Sequence, residues 1–98
     1  MVSRLKPEER DHAILAEAYL VKGDALKAGA RDDEELKDAI LAYLRVHLLY
    51  GGREATEAKA LARAAECYDA IGGEVGEQRA AKLMGILKSK YPNSPYAK

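Results

Sequence analysis

Five residues recur at one constant offset: Ala13, Ala16, Glu17, Tyr19 and Gly23 match Ala62, Ala65, Glu66, Tyr68 and Gly72, each 49 positions later. A second series, Ala39, Tyr43, Val46, Tyr50 and Gly51, aligns with Ala80, Met84, Leu87, Tyr91 and Pro92 at an offset of 41. A duplicated pattern of this length constrains the fold strongly, because the units of such an array each bury an apolar face only by stacking on a neighbour. The expectation is a binding surface rather than a reaction centre.

Each copy reads as a helical hairpin, and the periodicity predicts four helices, about 7–29, 32–50, 54–71 and 76–90. Pro7 with Glu8 and Glu9 suits a first turn: proline has no N–H to lose there, and carboxylates favour the positive helix end. Three-four spacing through Ile14, Leu15, Ala18, Tyr19, Val21 and Leu26 carries the first helix to Gly29. Asp32 followed by Glu35 resembles a capping box and opens the second. Leu36, Ala39, Ile40, Leu41, Tyr43, Leu44, Val46, Leu48 and Leu49 make that helix apolar nearly all round. It therefore needs cover on more than one side and is the expected central helix. The third helix turns Ala58, Leu61, Ala62, Ala64, Ala65, Tyr68 and Ile71 inward and stops at Gly72-Gly73, while the fourth ends before Pro92. Gly85, inside the fourth, costs about 1 kcal/mol relative to Ala, so it marks either a close backbone contact or a tolerated loss.

Charge and composition narrow the function classes. Sixteen Lys and Arg face sixteen Asp and Glu, interleaved along the chain, which argues against a nucleic-acid or anionic-membrane surface. Hydrophobic residues make up 48%, with neither Trp nor Phe, a composition rich in helix-forming Ala and Leu. Residues 1–98 are expected to form one small domain. No apolar run approaches the roughly 20 residues a bilayer demands, so membrane insertion is not expected. Arg4, Lys6, Glu8, Glu9, Arg10 and Asp11 precede the first apolar stretch, unlike a signal peptide. A lone cysteine, Cys67, forms no internal disulfide, which makes the cytoplasm the default compartment, with the cell envelope open if the chain is a piece of a longer protein.

The supply of reactive groups is poor. His12 and His47 lie on different helices without a nucleophile or ligand partner at a recurring spacing, so His47 reads as a partly buried helix residue. Cys67, mid-helix beside Tyr68, reads as a small hydrophobe. Asp32, Asp33, Glu34 and Glu35 complement a helix dipole rather than hold a cation. Gly72-Gly73-Glu74-Val75-Gly76 lacks the Lys-Ser/Thr of a phosphate cradle. No catalytic, cofactor or metal site is expected, and the chain does not read as an enzyme.

Leu15-Ala16-x-x-Tyr19 and Ala64-Ala65-x-x-Tyr68, followed by Ala39, Tyr43, Val46, Gly51 and by Ala80, Met84, Leu87, Pro92, resemble the tetratricopeptide repeat, a two-helix unit with small residues where its helices cross. The resemblance spans about residues 8 to 96, with repeat one about 8–51 and repeat two about 54–92. It implies an all-α fold of two stacked antiparallel hairpins in a right-handed superhelix. It departs from the family period of 34, and Gly23 to Ala39 is 16 residues against 8 from Gly72 to Ala80. The first two helices are expected to absorb that extra length. An ordinary four-helix bundle is the alternative.

In the resembled family the first helix of each unit lines a groove for a protein or peptide partner. Carried over by position, Arg10, Ala13, Glu17, Leu20 and Val21 form one wall, and Lys59, Ala62, Arg63, Glu66 and Asp69 the other. Family members that clamp a terminal carboxylate carry Asn where Glu17 and Glu66 stand, so this chain lacks that clamp. Lys59 and Arg63, four apart, are placed to hold a carboxylate; equally, these charges solvate an exposed face and pair among themselves, as Lys59 with Glu66. The implied function is a non-catalytic protein-protein interaction scaffold. Nothing polar follows the fourth helix, so a homo-oligomer formed through that open flank is the alternative.

Overall fold

Proline and two carboxylates open α1, Pro7–Gly29, and Lys27 lies in its last turn. The computed structural model describes residues 7–98, and Arg4 and Lys6 lie outside the described residues. Helix α2 spans Asp33–Leu49, α3 Glu54–Ile71 and α4 Gly73–Lys90, and a short 3-10 turn follows at Pro95–Ala97. The described residues are therefore all-helical, in two antiparallel hairpins without a strand. Asp32 caps α2 by accepting from the Glu35 N–H at 2.9 Å. Glu35 in turn accepts from the N–H of Arg31 at 2.8 Å, one residue before the cap.

The start of α4 differs from the sequence expectation by three residues. Gly72 and Gly73 have φ of 77° and 74°, a left-handed backbone open to glycine at little cost, and they reverse the chain so tightly that α4 begins at Gly73 rather than Gly76. Gly76 has another task. A Cβ there would stand 2.6 Å from the Tyr68 carbonyl oxygen, so only glycine lets the first turn of α4 approach the last turn of α3.

The extra length of the first copy also goes elsewhere than expected. Helix α1 has 23 residues against 18 in α3, whereas α2 has 17 against 18 in α4. Only α1 is prolonged. Gly23, the repeat equivalent of the chain-reversing Gly72, sits inside α1, where a Cβ would lie 2.6 Å from the Tyr43 ring. The same residue type recurs in register for two different reasons: steric room in one copy, backbone handedness in the other.

The helices pack in series. Helix α1 lies on α2, α2 on α3 and α3 on α4, with a smaller contact of α1 with α3. Among the described residues no Cα of α4 comes within 8 Å of one in α1 or α2, so the four helices do not close into a ring. The result measures 47 × 27 × 18 Å. Ala16, Ala39, Ala65 and Ala80 are all buried in one core with Tyr43, Leu61 and Leu87, and each of those larger side chains contributes about 1.5–3 kcal/mol of burial.

The central helix is α3, not α2. Ala58, Ala60, Leu61, Ala62, Ala64, Ala65 and Cys67 of α3 are buried, and α3 touches α1, α2, α4 and the 3-10 turn. Alanine lets three neighbours approach one axis, and this outweighs the greater hydrophobicity of α2. Helix α2, packed on α1 and α3, leaves Leu41, Leu48 and Leu49 exposed.

Candidate partner-binding surface

The face built from α1 and α3 is partly consumed by the fold itself. Arg10, Glu17 and Val21 are exposed and Ala13 is half-buried, but Leu20 is buried in the core. On α3, Asp69 is exposed and Lys59 half-buried, while Ala62 is buried. Leu20 and Ala62 thus stabilise the helix stack and offer no side chain to a partner, because the three-four stripe that stacks α1 and α3 includes their positions. Arg63 donates from Nη1 to Asp24 at 2.9 Å, and Glu66 pairs with Lys27 of α1 at 3.0 Å, not with Lys59. The two bridges join α1 to α3 and engage Arg63 and Glu66 within the fold, Glu66 keeping 55% of its side-chain exposure. Of the residues carried over by position, Arg10, Ala13, Glu17, Val21, Lys59 and Asp69 are neither buried in the core nor paired within the fold.

Asp24 anchors the first of two polar ties. The buried Tyr43 hydroxyl donates to the same oxygen that accepts from Arg63, at 2.5 Å. Burial, and then the bond to Asp24, push the Tyr43 phenol well above its usual range, so it stays a donor at any ordinary pH. One carboxylate thereby holds α1, α2 and α3.

Glu57 anchors the second. Its side chain is 0% exposed and accepts from Lys90 Nζ at 2.8 Å to each oxygen, from the Tyr91 hydroxyl at 2.6 Å, and from the Gly52 N–H at 2.7 Å. His47 Nδ1 lies 2.6 Å from Oε2. Burial works against ionisation here, but Lys90, Tyr91, the Gly52 N–H and His47 outweigh it and hold the carboxyl down at about 2. The group joins the end of α2, the Gly51-Gly52 loop, the start of α3 and the end of α4. Gly51 leaves room for it: a Cβ there would fall 2.9 Å from Oε1.

Sequence reasoning missed this centre. Glu57 reads as one more first-turn carboxylate, and its partners stand 5 to 34 residues away; the only local signal was the Gly51-Gly52 pair beside a helix start. Chemically the arrangement holds a charge in place, with donors surrounding the carboxylate and burial excluding solvent. Cys67 is buried, and burial pushes its thiol upward, away from thiolate. Among the described residues, no three His, Cys, Asp or Glu side chains group as metal ligands, and no helix is long and apolar enough to cross a membrane.

Two features lie on the outer surface. Tyr19 stacks on Tyr50 with centroids 5.6 Å apart, and Arg45 covers Tyr19 at 5.3 Å. His12 meets the Tyr50 ring edge-on and approaches the Gly51 carbonyl at 3.2 Å, which fastens α1 to the end of α2. On the other side, α2 and α4 flank a trough of about 400 Å³ lined by Leu44, His47, Leu48, Tyr68, Leu83 and Ile86, with Arg79 and Lys82 at its edge. No family model, curated protein or solved structure matches the chain.

Proposed function

We propose that the chain is a non-catalytic protein-protein interaction module of the tetratricopeptide type, binding a protein or peptide across the α1 and α3 face. The observation that carries this reading is the open serial packing, in which the α4 backbone makes no close approach to that of α1 or α2. Stacked hairpins of this kind present extended surface without a deep cavity. The buried alanines at Ala16, Ala39, Ala65 and Ala80 support the same reading. Arg10 and Glu17 have no ion-pair partner among the described residues and are the polar groups a partner would meet first.

Self-association through α4, the alternative, finds less support. The outward residues of α4 include Glu77, Gln78, Ala81, Lys82, Lys88 and Ser89, with Val75 its one large exposed hydrophobe. The 3-10 turn lies against α3 and α4 and buries Ser94 and Ala97. The chain's own tail therefore covers part of that flank. A photo-crosslinking residue at position 17, compared with one at position 81, tests the proposal in cells. Saturable adducts at 17 that the Arg10→Glu exchange abolishes are expected. Adducts formed equally at both positions, or only between copies of the chain, would overturn it.

A further inference from the structure

The trough between α2 and α4 is a second surface, lined by none of the residues assigned to the α1 and α3 face. Its floor is Tyr68 of α3, and its walls are Leu44 and Leu48 from α2 and Leu83 and Ile86 from α4. A smaller continuation along α4 adds Ile71, Val75 and Lys37 and shares Tyr68 and Arg79. From Val75 to Ile86 it follows about three helical turns, roughly 16 Å of rise. Leu48 is 71% exposed and Val75 60%, so part of the trough is apolar surface left uncovered by the chain.

Its charge is one-sided although the whole chain has none. Lys37, Arg79 and Lys82 stand along it, and no carboxylate lines either part. Lys37 is paired with Glu34 at 3.2 Å. Arg79 and Lys82 have no carboxylate within ion-pair distance among the described residues. Arg79 instead lies over the Tyr68 ring at 5.8 Å, which holds the guanidinium beside the apolar channel with its donors unspent. An apolar channel with two unpaired cations on one edge complements a segment that is apolar on one side and acidic on the other.

We infer that this trough binds an acidic amphipathic helix of a partner protein, about three turns long. Apolar side chains spaced i, i+4 and i+7 fill the Leu44, Leu48, Tyr68, Leu83 and Ile86 channel, and carboxylates meet Arg79 and Lys82. This goes beyond the interaction reading above, since it assigns a different surface and states the partner's chemistry.

The test uses a fluorescein-labelled acidic peptide of about 15 residues with leucines at that spacing and glutamates between, and a twin with lysine for glutamate. The acidic peptide should bind and shift the backbone amide resonances of Leu44, Leu48, Lys82 and Ile86. Arg79→Glu with Lys82→Glu, both exposed positions that leave the circular dichroism unchanged, should weaken it at least about tenfold, as should Leu48→Asp. Glu17→Lys should leave it unaltered. Equal binding of the lysine twin, resonance shifts confined to α1, or no shift at all overturns the inference. Co-sedimentation with phosphatidylserine vesicles through Arg79 and Lys82, or dimerisation that Leu48→Asp abolishes, would put a lipid surface or a second copy in the trough and likewise overturn it. Because crosslinking at position 17 reports on α1, that reading and this one can fail separately.

Discussion

Asp24 and Glu57 do the same job at different depths. Each is a carboxylate on the first helix of its hairpin that accepts a tyrosine hydroxyl from the far side of that hairpin, Tyr43 in one case and Tyr91 in the other. Asp24 retains 32% of its side-chain exposure, whereas Glu57 retains none. Water can replace a lost partner at Asp24 but not at Glu57. Depth, rather than the number of bonds drawn, should therefore decide what each tie is worth.

The largest expected effect is Glu57→Ala. It strands Lys90, Tyr91, His47 and the Gly52 N–H together and should lower the unfolding free energy by about 3–5 kcal/mol in urea titrations. Asp24→Ala, which leaves the buried Tyr43 hydroxyl unpaired, should cost about 1–2 kcal/mol. Equal losses at the two sites would break the contrast. The pH response sharpens it. The Glu57 carboxyl is lowered from 4.5 to about 2 in the fold, so its contribution is complete above about pH 5 and disappears as pH falls toward 2. That shift corresponds to about 3 kcal/mol, and Glu57→Gln should flatten the acid limb of the stability profile.

Glycines test the same principle on the backbone. Gly76→Ala drives a Cβ against the Tyr68 carbonyl and should cost about 1–3 kcal/mol. Gly85→Ala meets nothing within 4 Å and should raise stability by up to about 1 kcal/mol, read as a higher urea midpoint at constant slope. The sequence left Gly85 undecided between a close contact and a tolerated loss; the open space around it favours the latter.

Local chemistry was legible and long-range chemistry was not. The bounds of α1 and α3, the Asp32 cap and the burial of the four repeat alanines follow from spacing and capping, which act over a few residues. Hydrophobicity alone pointed to α2 as the central helix, because the count of large apolar residues does not register how many neighbours an alanine surface admits. Gly23 and Gly72 look equivalent until Tyr43 is known to stand against one of them. The groove residues carried over by position included Leu20, Ala62, Arg63 and Glu66, which the fold buries or pairs internally, since Asp24 and Lys27 meet α3 from 39 residues away in each case. The Glu57 tie had no comparable signal in its own segment.

The helices stack in series rather than close into a ring. Nuclear Overhauser contacts between side chains of uniformly labelled protein measure this directly. The structure predicts contacts linking α1 with α2, α2 with α3, α3 with α4 and, more sparsely, α1 with α3, and none joining α1 to α4. Contacts between α1 and α4 within one monomer would contradict it.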